Sequence, residues 1–247
     1  MNFFSLFKRS IIYKLKKKIS IDFDNLKNDS LDELFFFYGS DKANIFSKEN
    51  RDGHGYSKYY INHLGKFRNK KVNILEIGSY AGASAAAFTK YFYNSKVFCF
   101  DVNISNFKYK SKNIEVFGLD INNKKKVIEE INKIFKKNHI NSFDVIIDDG
   151  SHYLSDILKS LNFFFKFLNK NGYYIIEDFK LPNYYQYNRD INHIFVDEFL
   201  NNIINKRISN SNVFTDQDQE YLIKLVKKIQ IYKGNLSDSD ICFIEKK

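Results

Sequence analysis

Val72-Asn73-Ile74-Leu75-Glu76-Ile77-Gly78-Ser79-Tyr80-Ala81-Gly82 is the stretch on which the fold turns. A short apolar run ends in glycine, and a second glycine follows four residues later. The next segment, Ala83 to Tyr93, suits a helix. A strand that passes into a helix through a glycine turn is the opening of a βαβ unit. Glycine lets the chain turn sharply there and lets backbone N–H groups approach a ligand.

The pattern continues downstream. Strands are expected at 96–101 (KVFCFD), 113–120 (NIEVFGLD), 143–150 (FDVIIDDG) and 172–178 (GYYIIED). Helices are expected between them, at about 123–138 and from about 151 through Leu168. Strands alternating with helices predict parallel pairing. The end differs. Helices are expected at about 190–207 and 217–226. Two strand-like runs then follow, 227–234 and 239–247, joined by the polar turn Asn235 to Asp238. That is a hairpin, so an antiparallel strand joins a parallel set. The expected class is α/β, a Rossmann-like sheet over residues 71–247. Residues 1–70 precede it as a mainly helical extension that contributes to an active-site lid.

The glycine turn reads E-x-G-x-x-x-G from Glu76 to Gly82, which differs from the G-x-G-x-x-G of dinucleotide sites. Asp101 closes the next strand about twenty residues on, where an acid accepts both hydroxyls of a ribose. Glu76, Gly78, Ser79, Gly82 and Ser84 line the turn. A ligand with a ribose and no pyrophosphate fits this arrangement, and S-adenosylmethionine (SAM) is such a ligand. The sequence outline is that of a class I SAM-dependent methyltransferase.

Two acidic doublets end the fourth and fifth strands. Asp148-Asp149 is followed by Gly150-Ser151-His152, and Glu177-Asp178 stands at the other strand end. Ligands bind at the carboxyl ends of strands in open α/β sheets. Carboxylates gathered there repel one another unless a hard divalent cation holds them. Asp149, Glu177 and Asp178 are the expected ligands, with Mg2+ or Mn2+ as the ion. Such an ion would lower the pKa of a substrate hydroxyl. His152 suits the role of general base. Asp148 is set apart from the metal ligands and grouped with the donor-side residues.

These residues together resemble the metal-dependent sugar O-methyltransferases of the macrocin and mycinamicin type, with relatives in bacterial capsule and surface-polysaccharide gene sets. The resemblance rests on YGSDK (38–42), HGY (54–56), LEIGSYAG (75–82), IIDDGSH (146–152) and IIED (175–178), and covers roughly residues 35–180. It implies Mg2+ or a similar ion at Asp149, Glu177 and Asp178, His152 as base, and Tyr38, Ser40 and Tyr56 closing over the methyl donor. Family members often carry an acid directly after the glycine that ends the third strand. Here Leu119 intervenes, so Asp120 is the candidate for the adenine side. The residues after Asp178 depart from the macrolide enzymes, which points to another glycan, such as a nucleotide-linked hexose or heptose for capsule or surface polysaccharide.

Composition adds partners and exclusions. The net charge of +10 favours anionic partners by long-range steering, a nucleotide-linked sugar among them. The first twenty residues form a basic amphipathic segment, with Phe3, Phe7, Ile11, Leu15 and Ile19 at four-residue spacing. Such a helix packs on its own domain or on a sister subunit, or lies on a membrane. A homo-oligomer is expected. No apolar run is long enough to span a bilayer, and no secretory signal is evident, so the cytoplasm is the expected location. Cys99 and Cys242 sit in apolar runs and read as inert core thiols. A nucleic-acid amino-methylating enzyme would need a D/N-P-P-aromatic turn, and the single proline, Pro182, provides none. A hydroxylase metal site would need a second histidine. A methyltransferase for another small molecule or natural product, and a non-catalytic scaffold with the SAM fold, are the competing readings.

Overall fold

The alternation read from the sequence is present in the computed structural model, which describes residues 3–26, 29–46 and 49–247. The side chain of Phe3, first in the four-residue repeat, lies outside the described residues. The chain forms two compact units, Met1–Asn141 and Ser142–Lys247.

The first unit runs α1 (Phe3–Leu15), β1 (Ile19–Ser20), α2 (Leu31–Tyr38), β2 (Ile45–Phe46), β3 (Arg51–Asp52), α3 (Ser57–Leu64), β4 (Lys71–Ile77), α4 (Ala83–Tyr91), β5 (Asn94–Asp101), β6 (Tyr109–Lys110), β7 (Ile114–Gly118) and α5 (Lys124–Asn138). Strand β5 lies between β4 and β7, and both pairings are parallel, with Ile74 opposite Val97 and Val97 opposite Ile114. Val72 through Ile77 are all buried. A strand covered on both faces needs such a continuous apolar run. Helix α4 carries three successive buried alanines, Ala85 to Ala87. Beyond them Phe88 packs edge-on against Phe35 of α2, ring centroids 5.4 Å apart, and at a tilt against Tyr60 of α3 at 5.3 Å. Burying a phenylalanine in this way stabilises by about 1.5–3 kcal/mol.

Local signals set the helix ends. Ser30 and Glu33 form a reciprocal capping box at the start of α2, and Gly39 ends it in the left-handed region. Asn123 caps α5, whose buried stripe is Val127, Ile131 and Ile134. Residues 1–70, expected to be mainly helical, hold α1, α2 and α3 and short strands besides. Strands β2 and β3 form a small antiparallel pair, and β1 pairs in parallel with β6.

The second unit runs β8 (Phe143–Asp148), α6 (Leu154–Phe164), β9 (Leu168–Glu177), α7 (Leu181–Tyr184), α8 (Val196–Ile204), α9 (Asp216–Leu225), β10 (Val226–Lys233) and β11 (Asp240–Lys246). Strands β8 and β9 are parallel. Strand β11 pairs antiparallel with β9, and β10 antiparallel with β11, which is the expected terminal hairpin. The helix expected at 190–207 is shorter, Val196–Ile204. The residues before it spend their polar groups on tertiary bonds. Asp190 accepts from Ser155, and Asn188 donates to the carbonyl of His152.

Cys99 and Cys242 are fully buried free thiols. Burial pushes both thiols up, which makes the thiolate scarce and the sulfur inert. Among the described residues no helix is long and apolar enough to cross a membrane.

Candidate active site

The donor loop is built between β4 and α4. Gly78 leaves the strand at φ 84°, and its N–H donates to the Phe100 carbonyl of β5 at 2.8 Å. Tyr80 also takes a positive φ of 42°. Asp101 holds it there: Oδ2 accepts from the Tyr80 N–H at 2.7 Å, while Oδ1 accepts from the Asn103 N–H at 2.5 Å. Each carboxylate oxygen keeps a further lone pair for a ligand hydroxyl. Gly82 closes the loop at φ 77° as the N-cap of α4, without a side-chain cap. The first amides of α4 therefore keep donors for an anionic group at the helix start. A Cβ on Gly82 would stand 2.4 Å from Cζ of Phe107.

Glu76 is fully buried beneath this loop. Its Oε1 accepts from Ser84 Oγ at 2.5 Å, and its carbonyl accepts from Ser79 Oγ at 3.2 Å. Both serines are spent on shaping the loop. Asp120 accepts from the Asn122 N–H at 3.0 Å and so sets the turn that leads to α5.

The two early sequence clusters form one substructure in the first unit. Successive N–H groups of Gly53, His54, Gly55 and Tyr56 donate to the carbonyls of Asn44, Asp41, Ala43 and Lys42. Gly53 has no space for a side chain, since a Cβ would meet the Ala43 carbonyl oxygen at 2.1 Å. Tyr38, Ser40 and Tyr56 are all buried. The Tyr38 hydroxyl donates to Asp24 at 2.8 Å, and Ser40 Oγ accepts from the Lys42 N–H at 3.4 Å. The Ser40 hydroxyl keeps its own proton and a further lone pair for another partner.

The acidic doublets resolve into one inner and one outer member each. Asp149, His152 and Asp178 offer ligand atoms that all lie within 4.8 Å of one another. His152 Nε2 is 3.7 Å from Asp149 Oδ1. Both His152 (φ 57°) and Asp178 (φ 51°) hold the left-handed backbone region, which non-glycine residues rarely adopt. Two carboxylates and one imidazole form a donor set for a divalent cation. The carboxylates suit Mg2+ or Mn2+, and the imidazole widens the choice towards transition metals.

The inner members do otherwise. Glu177, an expected ligand, is outside this group. It lies buried at the end of β9, opposite Ile241. Asp148, expected on the donor side, is outside the group too; it is buried, and the Tyr174 hydroxyl donates to its Oδ2 at 3.3 Å. Burial pushes the Asp148 carboxyl up to about 6, against hydrogen bonds from Ser160 and Tyr174 that favour the charged form. Successive strand residues face opposite sides, so only one acid of each doublet reaches the cluster. In both cases it is the one just past the strand end.

Sequence reasoning missed the residues that prop this loop. Asn188 Nδ2 donates to the His152 carbonyl at 3.1 Å. Asp190 accepts from the Ser155 N–H at 2.9 Å and from Ser155 Oγ at 2.5 Å, which caps the start of α6. Both come from an irregular segment more than thirty residues downstream, and no local motif announces them.

Comparison with known proteins accords with this geometry. A family profile described as a methyltransferase domain matches residues 68–230, and the chain belongs to that family. It is 32% identical over 157 residues to L-olivosyl-oleandolide 3-O-methyltransferase of Streptomyces antibioticus, covering 60% of this chain and 36% of that protein. It is 26% identical over 132 residues to demethylmacrocin O-methyltransferase of Streptomyces fradiae, covering 51% and 32%. The chain spans about a third of the length of these curated relatives. Among solved structures it resembles the MycE methyltransferase of the mycinamycin biosynthetic pathway, in complex with Mg and SAH. The TM-score is 0.64 at 20% identity, over 88% of this chain and 54% of that one. The fold is therefore the Rossmann-like one of class I methyltransferases.

Proposed function

We propose that the protein transfers the methyl group of SAM to a hydroxyl of a sugar, with a divalent cation held by Asp149, His152 and Asp178. The observation that carries this reading is the convergence of those three ligand atoms just past two strand ends. On the donor side, Asp101 keeps lone pairs for the ribose hydroxyls, and the uncapped start of α4 suits the donor's carboxylate.

A divalent cation at the cluster would lower the pKa of a hydroxyl brought to it. His152 has two roles open to it: it completes the donor set, and the proton of the cation-acidified hydroxyl passes to solvent, or it takes that proton itself. In either case a C–O bond forms as the C–S bond breaks, and S-adenosylhomocysteine (SAH) leaves with the sulfur's electron pair. The remaining work is alignment of sulfur, methyl carbon and oxygen. Asn188 serves it by fixing the backbone of His152.

The name of the oleandolide relative puts its methyl group on an olivosyl-oleandolide, a sugar already joined to its carrier. This supports a carrier-borne sugar as acceptor. The nucleotide-linked capsule sugar expected from sequence rests on the basic net charge and on the departure of the residues after Asp178. Calorimetric titration with SAH, with Mg2+ and with EDTA, tests the donor half. Methyl transfer from labelled SAM to parallel panels of glycosides and nucleotide sugars tests the acceptor half. Absence of SAH binding under both conditions would refute the proposal, as would transfer that survives chelation unchanged.

A further inference from the structure

Helix α1 is turned the opposite way from an ordinary surface helix, whose apolar stripe faces the core. Its inner side carries polar anchors together with Leu6 and Tyr13. Arg9 Nη1 donates to the Val102 carbonyl at 3.0 Å, and Lys16 Nζ to the Ser105 carbonyl at 3.0 Å. Tyr13 packs edge-on against Phe107. Its outer side is apolar. Phe4 is 75% exposed, Phe7 57% and Leu15 82%, with Ile11 and Ile12 exposed between them.

At 3.6 residues per turn, Phe4, Phe7, Ile11 and Leu15 fall in one stripe. Lys14 falls along one edge of it and Lys8 along the other, between Leu15 and Ile12, and both lysines are exposed. The apolar surface continues past the helix through Ile19, 57% exposed, and Phe23, 92% exposed. No acidic residue occurs before Asp22, whereas Lys8, Arg9, Lys14, Lys16, Lys17 and Lys18 are all basic.

We propose that this face is a docking surface for an anionic lipid membrane, with α1 lying in the plane of the headgroups. An apolar stripe between two lysine borders matches the layered chemistry of that interface: acyl chains below, phosphates at the level of the ammonium groups. Charge complementarity decides against a second copy of the chain. Pairing two such helices face to face would set Lys8 and Lys14 of both copies together, with no carboxylate on either helix to offset them. Anionic headgroups supply the missing negative charge.

Cosedimentation of the full chain with vesicles tests the proposal. Binding is expected to vesicles of equimolar phosphatidylcholine and phosphatidylglycerol, to weaken with added salt, and to be far weaker on phosphatidylcholine alone. Each lysine near such a surface contributes about fivefold, so Lys8→Gln with Lys14→Gln should weaken binding about 25-fold. Phe7→Ser with Leu15→Ser should remove it. These side chains are exposed, so helical content and SAH affinity should stay at the parent values in both double variants. Three outcomes would overturn the proposal: no sedimentation with either vesicle, equal binding by parent and variants, or light scattering that shows a dimer abolished by Phe7→Ser/Leu15→Ser in a chain that ignores vesicles.

Discussion

Gly82→Ala should damage the donor loop by an amount the structure lets us work out. Two costs add. The backbone at Gly82 sits at φ 77°, and the left-handed region costs an L-residue roughly 1–2 kcal/mol. The new Cβ would also stand 2.4 Å from Cζ of Phe107 and 2.6 Å from its Cε2. Phe107 is fully buried and cannot swing into solvent. Overpacking of that kind costs about 1–3 kcal/mol. The total is about 2–5 kcal/mol, and a chain of this size loses about 2–4 °C of Tm per kcal/mol. The expected fall is therefore roughly 4–20 °C by differential scanning calorimetry. SAH affinity should fall with it, because the same shift moves the start of α4. Adding Phe107→Leu should return the packing part and leave the backbone part. A Gly82→Ala protein that melts within a degree or so of the parent and binds SAH as tightly would refute this account of the loop.

The metal site, α6 and the buried aspartate yield further predictions. His152→Ala and Asp178→Ala should each weaken Mn2+ binding, read by electron paramagnetic resonance, beyond the roughly 10–100-fold cost of losing an outer-shell partner. Glu177→Gln should leave it nearly unchanged, and the reverse pattern would restore Glu177 as a ligand. Asp190→Ala removes the acceptor of two Ser155 bonds at the start of α6. Loss of such a cap costs about 0.5–2 kcal/mol, so Tm should fall by about 1–8 °C; an unchanged Tm would show that the cap contributes nothing. Asp148 has a folded pKa of about 6, raised by burial above its unfolded value. The stability it contributes is full below pH 4 and is lost as pH rises through 6. Asp148→Asn should therefore stabilise the protein at pH 8 relative to the parent, by about 2–3 kcal/mol at most, read as a higher Tm, and should bring little or no gain at pH 4. A gain of equal size at both pH values would refute the assignment.

What was legible in the sequence was local or periodic. The run from Val72 to Gly82 and the acid at Asp101 are read from neighbours a few residues away, and the structure puts a strand, a tight loop and a carboxylate tie there. The terminal hairpin was legible because two apolar runs flank a short polar turn. The acidic doublets were legible as a site, but not in their division of labour. Composition makes Glu177 and Asp178 equivalent; the pleat does not. Where the strand ends decides which acid is turned outward, and element boundaries are the least certain part of a sequence reading. Asn188 and Asp190 were not legible at all. Their partners lie 36 and 35 residues upstream, and a side chain that reaches a distant backbone leaves no periodic trace.

Backbone strain supports the same two loops independently of side-chain chemistry. Among the described residues the non-glycine positions at positive φ are Asn50, Tyr80, His139, His152, Asn171, Asp178 and Lys206. Several have a local reason: His139 ends α5, Lys206 follows the last turn of α8, and Asn50 precedes β3. Tyr80, His152 and Asp178 instead leave strands or precede helices in the donor loop and the acidic cluster. Each costs of order 1–3 kcal/mol, and specific bonds hold the loops. Asp101 accepts from Tyr80, Asn188 grips His152, and the Asp178 carbonyl accepts from Leu181 at 3.0 Å. A chain selected for stability alone would place glycine or asparagine at such positions. Keeping a tyrosine, a histidine and an aspartate there is intelligible if the backbone must aim those side chains or their neighbours at ligands. The left-handed turn that places His152 and Asp178 beside Asp149 is then part of how the site is made.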